Sequence, residues 1–142
     1  MPIEYVFVSD GGYVLVTFTG DVDDLCLLEY SRKVASEYPK GVPELADLRG
    51  LSEYSVTPDG MKRVAEFDAA FAAGTDGTPV AVVVGSDLTY GMTRMYQMFS
   101  YSNPNTIEIF RNISEAEEWL LAQIAAAAKD EIDPVPMWKD LA

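Results

Sequence analysis

The chain contains no histidine, and that absence bears on every chemistry it could perform. Without imidazole there is no ordinary general base near neutral pH, the commonest metal ligand is missing, and no Ser-His or Cys-His nucleophile pair can form. Catalysis would have to rest on carboxylates, or on Arg49, in a dry cleft. Asp21, Asp23 and Asp24 sit together where a helix starts, a position at which carboxylates offset the helix dipole. Asp47 stands near the end of a strand, and the acids show no metal-ligand spacing. Cys26 has no cationic sequence neighbour to lower its pKa and reads as a small buried hydrophobe. The expectation is a non-enzymatic protein with no catalytic residue, no cofactor and no metal.

Three residue groups suit binding instead. Tyr90, Arg94, Gln97 and Tyr101 follow helical spacing on one side of a helix, with no acid among them. Tyrosine and arginine are enriched at interfaces, and Arg94 could stack on either ring. This stripe is the candidate partner interface, with a second copy of the chain or another protein as the partner. Met61, Phe67, Phe71, Met92, Met95 and Phe99 form a soft apolar set on two helices. Methionine adapts to irregular guests, so the set could line a pocket for an acyl chain or similar molecule, or could be filled core. Ser55 and Thr57 precede a helix, where a phosphate would meet free N–H groups and the dipole. Capping alone explains Thr57-Pro58, so a phospho-switch is the weaker of the two readings.

The totals limit the alternatives. The chain has 142 residues, of which 49% are hydrophobic, enough for one domain with a substantial core. Its formal charge is −13, from 23 acids against 10 bases. A field of that sign repels phosphates, which argues against nucleic-acid binding and disfavours peripheral contact with an anionic membrane. A single cysteine fits a reducing cytoplasm, and no apolar run reaches the roughly 20 residues of a membrane span.

The elements that must position these groups are organised around Val80 to Val84. This unbroken apolar run, β-branched in four of five positions, predicts a parallel strand covered on both faces. Gly85 ends it and Ser86 can cap the helix that follows, Asp87 to Tyr101, with Leu88, Met92, Met95 and Phe99 on its inner side. Upstream, Ile3 to Ser9 and Tyr13 to Thr19 form a hairpin about Asp10-Gly11-Gly12. Asp21 caps a helix from Val22 to Glu37, whose inner stripe is Leu27, Leu28, Ser31, Val34, Ala35 and Tyr38. Val42 to Leu48 is a short strand, Leu51 to Val56 a loop, and Thr57-Pro58-Asp59 opens a helix that stops near Gly74. Thr106 to Phe110 is the last strand. Ser114 and Glu117 form a capping box for a final helix, and residues 129–142 are a tail.

The predicted order is β-β-α-β-α-β-α-β-α. It implies a single α/β domain over residues 1–128: an N-terminal hairpin, then a right-handed β-α superhelix, with a mixed five-stranded sheet and four main helices. Such winding puts the crossover helices on one face. The other face then needs a cover, for which the tail (Val135, Met137, Trp138, Leu141) or a second subunit is the expectation.

Asp47-Leu48-Arg49-Gly50 at a strand end, Gly91-Met92-Thr93-Arg94-Met95 on a helix, and Phe110-Arg111-Asn112 leading to Ala116-Glu117-Glu118-Trp119-Leu120 follow the opening hairpin in that order. Over about residues 3 to 125 the chain resembles the SpoIIAA-like (STAS/SEC14-type) family of small bacterial proteins. The resemblance implies non-enzymatic work: protein–protein regulation, homodimerisation, or carriage of a small apolar, lipid-like molecule, sometimes near a membrane. One branch of that family is phosphorylated within an Asp-Ser-Ser-Gly pattern. Here the region reads Ser55-Val56-Thr57-Pro58-Asp59-Gly60 and departs from it.

Overall fold

Gly12, at a φ of 76°, closes the first turn and donates its N–H to the Val8 carbonyl at 2.8 Å. The turn joins β1 (Ile3–Val8) to β2 (Tyr13–Asp23) as an antiparallel hairpin. The computed structural model describes residues 2–101 and 103–132. After the hairpin come α1 (Asp24–Glu37), β3 (Glu44–Ser55), α2 (Pro58–Ala72), β4 (Pro79–Val83), α3 (Asp87–Phe99), β5 (Thr106–Phe110) and α4 (Ile113–Ile132). The five strands lie in chain order, and β2 to β5 are mutually parallel. Each parallel step moves the same way across the sheet. Connections of one hand therefore put α1, α2 and α3 on one face.

Register sorts the side chains. Val14, Glu44, Val80 and Ile107 are partners in successive ladders and share the α1–α3 face, as do Val16, Ala46, Val82 and Ile109. Leu45, Ala81 and Val83 point the other way, into a second cluster with Ala116 and Leu120 of α4. Ala81 to Val84 are therefore dry on both sides, as their composition requires, while Val80 is half-buried. The cover on the second face is α4. Tyr13 bonds Glu117 at 3.0 Å, and the Phe110 and Trp119 rings lie 5.7 Å apart. The expectation that the tail or a second subunit dries this strand is corrected: the chain's own last helix does so. Val135, Met137, Trp138 and Leu141 lie outside the described residues. On the same face α4 stops short of β1, where Val6 stays 58% exposed.

Other boundaries moved for local reasons. β2 runs on through Gly20 to Asp23 because β3 is itself long and pairs with it across two register shifts. Leu51 to Ser55, expected as loop, is therefore strand, and Asp23, not Asp21, caps α1 by accepting from the Cys26 N–H at 2.9 Å. Asn112, not Ser114, caps α4, accepting from the Ser114 and Glu115 N–H groups. Thr57 and Ser86 cap α2 and α3 as expected. The start of the segment read as tail continues α4 to Ile132.

Candidate ligand-binding chamber

Four elements, α1, α2, α3 and β3, each bring a polar residue to one place on the α1–α3 side of the sheet. Ser31 follows Leu27 by one turn on α1, Asp68 follows Val64 by one turn on α2, and Tyr96 continues the Thr89–Thr93 stripe on α3. Glu44 opens β3 and is held in register between Val14 and Val80, which fixes its side chain on this face. The four meet at the wall between two cavities. An outer cavity of about 110 Å³ reaches the surface beside exposed Pro39, Lys40 and Gly41 and is walled by Phe67, Phe71 and Ile107. An inner one of about 90 Å³ is lined by Phe18, Leu48, Tyr54, Met61 and Val82. Tyr30, Ser31, Glu44, Asp68, Val80 and Tyr96 line both, so the two lobes adjoin at a polar waist.

Electrostatics at the waist are unusual for so acidic a chain. Burial pushes the Glu44 carboxyl up to about 8, and the nearby Asp68 charge adds to the effect. Burial also raises Asp68, to about 6, while hydrogen bonds from Tyr96 and Ser31 pull it back. Tyr96 donates its hydroxyl to Asp68, and its own proton is held well above the ordinary tyrosine range by burial first and the Asp68 charge second. Both carboxyls are thus held toward their protonated forms, Glu44 more strongly than Asp68. Glu44 has no hydrogen-bond partner among the described residues, and its open side faces the chamber.

The residues singled out in the sequence fall in several places. Met61 lines the inner lobe and Phe67 and Phe71 the outer one, whereas Met92, Met95 and Phe99 pack against the core without lining either. The chamber thus lies between helices and sheet, not between α2 and α3. The inner stripe of α3 is Thr89, Thr93, Tyr96 and, just past the helix end, Ser100, while Leu88 is 67% exposed. Two of these hydroxyls are satisfied locally: Thr93 donates to the Thr89 carbonyl at 2.8 Å, and Thr89 pairs with Ser86, whereas the buried Ser100 hydroxyl has no partner among the described residues. Tyr90, Arg94 and Tyr101 face outward, but Gln97 turns in and donates to the Ile107 carbonyl. Arg94 bonds Gln97, and the cation over the Tyr90 ring is Arg111, 4.9 Å from its centroid. Ser55 is exposed. The Thr57 hydroxyl donates to Asp24 at 2.6 Å, so a phosphate there would stand against a carboxylate. Cys26 is half-buried beside a groove with Tyr5, Glu29 and Lys33. Among the described residues no three His, Cys, Asp or Glu side chains are placed to hold a metal ion, and no helix is long and apolar enough to cross a membrane.

Neither Glu44 nor Asp68 stood out in the sequence. The available signal was their phase: each falls on the buried side of its own element, where an acid is out of place.

Comparison with known proteins supports the fold. No family model matches the chain, and no curated protein matches it significantly. A solved structure of an uncharacterised protein from the DUF3478 family, from Shewanella loihica PV-4, is similar, with a TM-score of 0.51 and 18% identity. The match covers 83% of this chain and 91% of that one, and that protein has a SpoIIAA-like fold. The α/β architecture here, a mixed five-stranded sheet with four helices, is of the SpoIIAA-like type.

Proposed function

We propose that the protein is a non-enzymatic binding module of STAS-like type whose working site is this chamber, the two adjoining lobes. The observation that carries this reading is the polar waist of Ser31, Glu44, Asp68 and Tyr96 set between two apolar lobes. Pockets for small molecules combine apolar walls with a few convergent polar groups in this way. The chamber suits a small, mainly apolar molecule with one hydrogen-bonding group, which the protein would carry or sense. A single cysteine agrees with a reducing cytoplasm. Native mass spectrometry of freshly purified protein tests the reading. A co-purifying small molecule lost in Val82→Trp, which fills the inner lobe, is expected. A wild-type protein that retains none and binds no apolar probe would overturn it.

A second reading rests on the outer side of α3. Met98 is 70% exposed and Tyr101 89% exposed, next to Tyr90 and Arg94. Such a patch suits contact with another protein or with a second copy of the chain. Light scattering should then show a homodimer that Tyr90→Ala with Tyr101→Ala dissociates. A monomer at all concentrations would remove the self-association.

A further inference from the structure

We infer that the chamber selects a small apolar molecule bearing a protonated amine, with the ammonium seated at the waist against Glu44 and Asp68. This deepens the reading of the chamber as a binding site and rests on it.

The waist holds two acids and neutral hydroxyls, and no cation among the described residues. The groups that titrate or carry charge and face Glu44 are Asp68 from α2, Tyr96 from α3, Tyr30 from α1 and, at the mouth, Tyr38 and Lys40. Its register partners on β2 and β4, Val14 and Val80, are apolar. Lys40 is the one cation among the described lining residues, and it is exposed at the rim, with Nζ 5.5 Å from the Phe71 centroid. An anionic head group would therefore meet the Asp68 charge inside and a chain of formal charge −13 outside. A neutral head could bond to the waist but would leave Asp68 uncompensated.

An ammonium supplies what the waist lacks. It brings N–H donors to the half-buried, unpartnered Glu44 carboxyl and a positive charge to two neighbouring acids whose ionised forms burial disfavours. Phe18, Tyr30 and Tyr54 add ring surface for the adjoining apolar body. Each lobe, about 110 and 90 Å³, is smaller than the dry cavity of about 150 Å³ that takes benzene, so a ring with a short chain would have to occupy both. Binding has a proton signature as well. An ammonium beside Glu44 favours its ionised form, so near neutral pH the Glu44 proton leaves to solvent as the amine enters.

The test is calorimetry on the whole chain at about pH 7 with three matched probes: 2-phenylethylamine, 2-phenylethanol and 3-phenylpropanoate. Repeating the amine titration in buffers of different ionisation heat counts protons. The amine should bind at least about tenfold more tightly than the alcohol, the carboxylate most weakly, and amine binding should release roughly one proton. Glu44→Gln should weaken the amine about tenfold, remove the proton release and leave the alcohol nearly unchanged. If that variant does not fold, the wild-type probe order and proton count decide alone. Alcohol or carboxylate binding as tightly as the amine, or amine binding without proton release, overturns the inference and leaves the chamber reading standing. Binding of none of the three overturns both.

Discussion

Tyr96 donates its hydroxyl to the Asp68 carboxylate, bridging α3 to α2 inside the apolar layer above the sheet. Both side chains line the chamber, and Asp68 influences the proton on Glu44 across it. Tyr96→Phe removes one of the two hydroxyl donors to a half-buried carboxylate. It should cost about 1–3 kcal/mol at neutral pH, measured by urea denaturation. The loss should shrink near pH 5, where Asp68 takes up a proton. A loss unchanged by pH would mean that packing, not the hydrogen bond, is what Tyr96 contributes.

Stability should fall as pH rises from about 4 to about 8. Folding raises Glu44 from 4.5 to about 8 and Asp68 from 3.8 to about 6, so in that window the native state holds more protons than the unfolded chain. The penalty is absent below the unfolded values and complete above the folded ones. Asp23 and Asp47 are shifted down by backbone and Arg49 contacts, and act only in more acid solution. Melting temperature should therefore be higher at about pH 5 than at about pH 8.5. In Glu44→Gln the upper part of that slope should flatten, with a gain at high pH on the order of 2 kcal/mol. A melting temperature rising over the interval contradicts the assignment.

Asp24 ties two helix starts together. Its carboxylate accepts from the Thr57 N–H at 2.7 Å and the Thr57 hydroxyl at 2.6 Å, while Thr57 caps α2 through the Gly60 N–H at 3.0 Å. A Cβ on Gly60 would lie 2.1 Å from the Asp24 Cγ. Asp24→Ala should cost about 1 kcal/mol. Gly60→Ala alone should destabilise in spite of alanine's better helix propensity, and should become favourable by up to about 1 kcal/mol when Asp24→Ala is already present. Additive single effects in denaturation would show that the two sites are independent.

Leu120 is fully buried against the second face of the sheet. Leu120→Ala should cost about 2–5 kcal/mol, because the cavity opens over Ala81 and Val83. A loss below about 1 kcal/mol would mean that α4 is a loose cover, and would return the question of what dries that face.

The residues that declare themselves in the sequence are those whose pattern has one physical solution. Val80 to Val84 admits only a strand covered on both faces, and Thr57-Pro58 and Ser86 admit only helix starts. The SpoIIAA-like architecture follows from the order of such units. What covers the second face was not legible, because α4 and the tail both carry apolar residues and only the turn after β5 decides between them. The inner side of α3 was misread because Leu88, Met92, Met95 and Phe99 share a helical period with Thr89, Thr93, Tyr96 and Ser100, and hydroxyls such as those of Thr89 and Thr93, satisfied within their own turn or cap, leave no trace in a hydrophobic pattern. The chamber was hidden for a related reason. Acids default to the surface, and only three-dimensional register brings Glu44, Asp68 and Tyr96 to one wall.

The half-buried Glu44, its carboxyl pushed up to about 8 by desolvation, is the centre of this account. Carbon-13 NMR titration of the glutamate side-chain carboxyls, assigned with Glu44→Gln, reads its proton directly. A midpoint near 8 is expected. A midpoint in the ordinary range, about 4 to 5, would show a solvated carboxyl and no desolvated acidic waist.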